Sequence, residues 1–136
     1  MREILFRGKR TDTGEWVEGF YAKSGDKTFI LVDNDIAVGY VSMKEIIPET
    51  VGQYTGLTDM NGKRIFEGDI HERENHFFVV KYGKYRDCET NEDGYGWYFE
   101  YTHRKGCEGF GGTENEYVNI VGNIHDNPEL LKGGEG

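Results

Sequence analysis

The chain has 136 residues, a formal net charge of −9, and a composition rich in glycine (20 residues) and aromatics (19 residues). That length suits one domain, or two small ones sharing a core, and folding it removes about two-thirds of the unfolded surface from water, so no disulfide or metal staple is required. The acidity, net −2 over residues 1–50 and net −7 over residues 51–136, argues against a general DNA or RNA coater, which works by neutralising phosphates.

Aromatics favour strands, glycine favours tight turns, and no segment repeats apolar residues at i, i+3, i+4, i+7, so the expectation is β structure. Ile4–Lys9 and Glu15–Lys23 read as a hairpin around Asp12-Thr13-Gly14. After the turn Ser24-Gly25-Asp26, Thr28–Val32 and Ile36–Val41 follow as strands, joined by Asp33-Asn34-Asp35. Ser42 and Glu45 have capping-box spacing, which predicts one helical turn, limited in length by Pro48. Val51–Gly56 and Arg64–Ile70 flank Asn61-Gly62, the sequence signal for a type I′ hairpin.

His76–Tyr82 and Tyr95–Thr102 are the next strands. The polar, acidic stretch between them, Gly83 to Gly94 with Asp93-Gly94 as a turn signal, reads as a mobile loop. His103–Thr113, with Gly111-Gly112, reads as a Gly-rich loop. Glu116–Ile124 is the last strand, Pro128–Leu131 a closing helical turn, and Lys132–Gly136 a fraying, disordered tail. The organisation expected is an N-terminal β subdomain over 1–50, a small barrel over 51–131, and a tail over 132–136.

No apolar run reaches the ~18 residues of a membrane span, and Ile4-Leu5-Phe6 is too short for a signal-peptide core. Only two cysteines, Cys88 and Cys107, and no N-x-S/T sequon occur. The compartment expected is a reducing cytoplasm.

Three segments carry a likeness to a known family. Val51-Gly52-Gln53-Tyr54-Thr55-Gly56-Leu57-Thr58-Asp59 leads into Asn61-Gly62-Lys63-Arg64-Ile65-Phe66-Glu67-Gly68-Asp69-Ile70. The end is Ile120-Val121-Gly122-Asn123-Ile124-His125-Asp126-Asn127-Pro128-Glu129-Leu130-Leu131, and the start is Met1-Arg2-Glu3-Ile4-Leu5-Phe6-Arg7, with Trp16 and Gly19 downstream. These resemble the central, closing and opening motifs of the YopX family of phage and prophage proteins. Residues 24–48 and 83–115 carry little of the likeness. The resemblance implies an all-β protein with an SH3-like barrel in its C-terminal half, and a bacterial host. It implies no catalytic residues. Gln53, Tyr54, Thr55, Gly56, Asn61, Gly62, Gly68, Asp69, Gly122, Asn123 and Pro128 are expected to act structurally, chiefly as turn residues.

Catalytic motifs are sparse. Asp12-Thr13-Gly14 matches the aspartic-protease triplet, but that chemistry needs two carboxylates sharing a proton, and one hairpin turn explains a single copy. Cys88, His103 and Cys107 have the right chemistry for zinc without the paired spacing of structural sites. The glycines at 106, 109, 111 and 112 precede a strand, whereas a phosphate cradle opens a helix. No G-x-S-x-G or H-E-x-x-H occurs. No cofactor is indicated.

The residues most suggestive of binding are Lys84, Tyr85, Arg86 and Trp97. Tyr95, Trp97, Phe99 and Tyr101 fall on one strand face by period two. Such a face is either the inner wall of a small barrel or a ligand groove with basic neighbours. Phe77-Phe78-Val79-Val80 is apolar on both faces, which suits a strand buried on both sides or one that packs on another protomer. The acidic stretch Asp87–Asp93 is a solvated surface or a face for basic partners. The expectation is a non-catalytic accessory protein that binds a host or phage protein. The alternatives are a nucleic-acid module using the same patch, and an uncharacterised metal-dependent enzyme.

Overall fold

The computed structural model describes residues 4–35, 40–110 and 117–132. Eleven strands follow in chain order: β1 (Phe6–Lys9), β2 (Trp16–Ser24), β3 (Lys27–Asp35), β4 (Tyr40–Ile46), β5 (Gly52–Thr58), β6 (Arg64–Phe66), β7 (Asp69–Arg73), β8 (His76–Arg86), β9 (Asp93–Tyr101), β10 (Cys107–Gly109) and β11 (Ile120–Asn123). Among the described residues the remaining elements are two 3-10 turns, Pro48–Thr50 and Pro128–Lys132. The protein is therefore all-β among the described residues. The strands form two antiparallel sheets, ordered β4-β3-β2-β1-β5-β6 and β10-β9-β8-β7-β11. Neither sheet closes on itself, so the barrel expected for the second half is not shown by the strand pairing. The chain divides into two compact units, Met1–Gly56 and Leu57–Gly136.

In the first unit, Gly14 (φ 74°) ends the β1–β2 turn, and the two-residue loop Gly25-Asp26 joins β2 to β3. Gly25 (φ 63°) takes the first central position, as a type II′ turn requires. The helical turn expected at Ser42–Glu45 is strand instead. Ser42, Met43, Lys44 and Glu45 pair with Val32, Leu31, Ile30 and Phe29, and this ladder overrides a capping-box spacing that has no apolar helical face to bury. The strand expected from Ile36 begins at Tyr40, with residues 36–39 outside those described. The end of β4 bends back to β1 through an Arg10–Ile46 bridge and the Ile47 N–H on the Lys9 carbonyl at 2.9 Å. Gly8 permits this approach, since a Cβ there would stand 2.3 Å from Ile46 Cγ2.

In the second unit, the turn chemistry departs from expectation in an instructive way. At Asn61-Gly62 only Gly62 has positive φ (82°). Asp59 and Lys63 close the turn through the Asp59 N–H on the Lys63 carbonyl at 2.7 Å, so the loop has three residues ending in a left-handed glycine rather than a type I′ pair. The buried Asp59 carboxylate selects this form: Oδ1 accepts the N–H groups of Asn61 and Lys63, both at 2.9 Å. The type I′ geometry occurs at Glu74-Asn75 instead (φ 52° and 68°), between the paired Arg73 and His76. Arg64–Ile70, expected as one strand, is broken into β6 and β7. Gly68 turns at φ 90°, and Asp69 Oδ2 accepts the Phe66 N–H at 2.8 Å.

The core of this unit joins Ile65, Phe78, Val80, Phe99, Val118 and Ile120, with Leu57, Trp97, Tyr101 and Phe110 packed against it. Phe78 and Val80 face that core. Val79 points the other way, into a shallow depression of about 290 Å³ shared with Ile124 and Leu131. Both apolar faces of β8 are thus used within the protomer. The last strand is shorter than expected, Ile120–Asn123, and residue 116 lies outside the described residues, as do Gly111-Gly112 and residues 133–136 of the tail.

Candidate functional site

The longest pairing in the second unit, β8 with β9, runs from Phe78–Tyr101 to Arg86–Asp93. Gly83–Arg86 and Asp93–Gly94, expected in a mobile loop, belong to these strands. The turn proper is Asp87–Glu92, and it is tightly held. Asp87 Oδ1 accepts the N–H groups of Glu89 and Thr90 at 2.8 and 3.1 Å, while Oδ2 accepts the Gly109 N–H of β10 at 2.9 Å. These bonds, the Gly109 one foremost, hold the Asp87 carboxyl below its usual range. A turn rich in acids is ordered here because one acid satisfies three backbone donors.

Alternation by two puts Phe78, Val80, Tyr82, Lys84 and Arg86 on one face, opposite Tyr101, Phe99, Trp97, Tyr95 and Asp93. This face changes character along its length. Phe78, Val80 and Phe99 are buried. Trp97 is half-buried against the core. Tyr82 and Tyr95 are 53% and 74% exposed. The Tyr82 ring lies 4.8 Å from Trp97 and 5.8 Å from Tyr95, both edge-on. The aromatic face is therefore core at one end and exposed surface at the other. The change comes at the cross-strand pair Gly83–Gly96, on the opposite face, whose φ values of 142° and 147° favour glycine.

The four residues singled out from sequence are placed differently from one another. Lys84 is exposed, opposite Tyr95, and makes no ion pair among the described residues. Arg86 is engaged within the hairpin, with Nη1 on Asp93 at 2.8 Å and Nε on Asn91 at 3.2 Å. Tyr85 lies on the opposite face, stacked on Tyr98 at 4.9 Å and covering Gly94 and Gly109. A Cβ on Gly94 or Gly109 would come within 2.5 or 2.3 Å of the Tyr85 ring and hydroxyl. Tyr85 is thus a packing residue. Trp97 joins core and surface. Periodicity already put Tyr95 on a face that is either core or groove, but it does not give the point where the core stops, which here leaves Tyr82 and Tyr95 exposed.

Cys88, His103 and Cys107 are not gathered around a common point, and no three His, Cys, Asp or Glu among the described residues could hold a metal ion together. Cys88 is an exposed free thiol. Cys107 is half-buried opposite Glu100, and burial raises its pKa. His103 instead meets Phe77 edge-on at 5.9 Å. Asp12 is an exposed turn residue paired with Arg10 at 2.7 Å.

Two polar clusters had no sequence signal. Glu108, 8% exposed, accepts both Arg73 Nη2 and the Tyr101 hydroxyl on Oε2 at 2.8 Å. Burial opposes its charge, but these two bonds outweigh it and hold the carboxyl below its usual range. His71, 2% exposed, sits against Phe78 and Phe99, and its Nδ1 accepts the Asn119 N–H at 2.9 Å. Burial holds its pKa below the usual histidine value.

The quoted sequence motifs meet in space. Asp59 Oδ2 accepts the Ile120 N–H at 3.1 Å, and the Gly68 carbonyl accepts the Ile124 N–H at 2.9 Å. Asp69 and Ile70 pair with Asn123 and Gly122. Asn123 Oδ1 accepts the His125 and Asp126 N–H groups, and a Cβ on Gly122 would stand 2.3 Å from Asn127 Oδ1. Gln53 pairs with Phe6, and Tyr54 and Thr55 are buried in β5.

A family model described as YopX protein matches residues 5–132. Among solved structures, protein EF1440 from Enterococcus faecalis is similar in fold, with 22% sequence identity, a TM-score of 0.51, and coverage of 96% of this chain and 99% of that one. Among curated proteins, none matches.

Proposed function

This chain belongs to the YopX family, and from that premise we propose a non-catalytic phage or prophage accessory protein that docks another protein on the outer half of the β8–β9 hairpin. We read the second unit as an SH3-like meander in which β11 returns beside β7, and the site of action as the cytoplasm of a bacterial host. The strand order β10-β9-β8-β7-β11 supports the first reading. The family resemblance and the two free thiols support the second.

The observation that carries the docking reading is the pair of exposed tyrosines, Tyr82 and Tyr95, in contact with each other and continuous through Trp97 with the core. Aromatics held rigidly on a strand face lose little entropy on binding and dominate protein interfaces. Nucleic acid is the weaker occupant. Arg86 is paired with Asp93, which leaves Lys84 as the main cation for phosphate contacts on this face.

The test is an affinity capture from host lysate, with and without nuclease, using the natural chain and a Tyr82→Ala/Tyr95→Ala variant. A stoichiometric protein that survives nuclease and is lost from the variant is expected. Capture that is equal for both chains, or that disappears with nuclease, would refute the docking reading.

A further inference from the structure

We infer that the hairpin site takes a basic protein segment, whose arginine or lysine side chains lie over the Tyr82, Tyr95 and Trp97 rings. The inference rests on the docking reading and adds the chemistry of the partner.

Residues 81–101 carry three cations and five carboxylates. The cations are internally compensated at two positions, Lys81 by Glu100 and Arg86 by Asp93. Asp87 is occupied by backbone donors of its own turn and of β10. Glu89 and Glu92, both exposed at the hairpin tip, make no ion pair among the described residues. An exposed aromatic strip on a hairpin whose tip carries these carboxylates, on a chain of net charge −9, attracts cations in two ways. The rings offer their negative faces, and the carboxylates and overall field raise the encounter rate. The hairpin already accommodates guanidinium over an aromatic ring elsewhere: Arg104 lies 4.1 Å from the Tyr101 centroid. Lys84 is the one group on the exposed face that opposes a basic occupant, so its removal gives a signed test. A basic partner binds more tightly without it, and an acidic partner less.

The experiment titrates the full isotope-labelled chain with an arginine octapeptide, and separately with a glutamate octapeptide, following backbone and indole resonances. Expected are shifts from the arginine peptide centred on Tyr82, Lys84, Tyr95 and the Trp97 indole. Lys84→Gln should tighten binding about two- to three-fold, Glu89→Gln/Glu92→Gln should weaken it by a similar factor, and Tyr82→Ala/Tyr95→Ala should weaken it about ten-fold with net charge unchanged. Tyr95 is so exposed that its loss leaves the fold intact, which the spectrum itself reports. Shifts scattered over all acidic residues and retained in the tyrosine variant overturn the inference, as does tighter binding of the glutamate peptide, or weaker arginine binding by Lys84→Gln. If the lysate partner is still lost from the tyrosine variant while the arginine peptide does not bind, the docking reading stands and its basic chemistry falls.

Discussion

Two buried side chains show how much of this protein hangs on single polar atoms. Asp59 is 3% exposed and accepts three backbone N–H groups, two in its own loop and one from β11. Removing it leaves three donors unpaired, so Asp59→Ala should cost about 3 kcal/mol or more in urea unfolding. An effect below ~1 kcal/mol would show that water replaces the carboxylate. His71 makes stability depend on pH. Its Nδ1 accepts the Asn119 N–H, so the folded imidazole is neutral, and burial lowers its pKa. The unfolded imidazole takes up a proton near pH ~6.5. As pH falls from neutral through and below that value, the unfolded state binds the extra proton first, and stability declines until the folded pKa is passed. The lowered carboxyls of Glu108 and Asp87 act the same way, but below the ordinary carboxylate range. Urea midpoints between pH 7.5 and 5.5 should therefore fall for the natural chain and stay nearly flat for His71→Gln.

Among the elements, the β8–β9 hairpin separates packing from docking. Tyr85 and Tyr95 are both tyrosines near its tip, and the pairing of Lys84 with Tyr95 puts them on opposite faces. Tyr85 covers two glycines and stacks on Tyr98, so Tyr85→Ala should cost about 2 kcal/mol. Tyr95→Ala should stay within ~0.5 kcal/mol, and Trp97→Ala should fall nearer 3 kcal/mol while remaining folded. Thermal melts of the three variants check the order, and a large loss in Tyr95→Ala would mean that its ring is part of the core. The turns show how far local sequence reaches. Gly25-Asp26 behaves as its residues suggest, with glycine at the positive-φ position between the paired Ser24 and Lys27. Asn61-Gly62 does not, because the Asp59 carboxylate captures the Asn61 N–H and imposes a longer loop. Glu74-Asn75 adopts positive φ at both positions, imposed by the register of Arg73 with His76 rather than by turn propensity.

For the whole molecule, charge decides the conditions under which a basic segment can dock. The sequence pI is about 4.9, so lowering pH toward 5 discharges the surface that attracts it. Affinity for the arginine octapeptide should fall steadily from pH 7.5 to 5 and with added salt. An affinity independent of both would point to an apolar interface instead. No described helix is long and apolar enough to cross a membrane. The first unit carries its own exposed apolar row, Phe20 and Met43 flanking Leu31 in register across three strands.

Composition and alternation were sufficient for the β character of the chain, for most of its strands and for the face on which Tyr95, Trp97, Phe99 and Tyr101 lie, because each of these depends on neighbours in sequence. What tertiary structure decided depends on distant partners. β3 made Ser42–Glu45 a strand. β10 and the Gly109 N–H ordered an acidic turn through Asp87. Glu108 found Arg73 and Tyr101, and Asp93 found Arg86, which compensates that cation's charge at the surface. The end of the core at Val80 and Phe99 exposed Tyr82 and Tyr95. Alternation assigns a side chain to a face, but only packing determines whether that face meets protein or water.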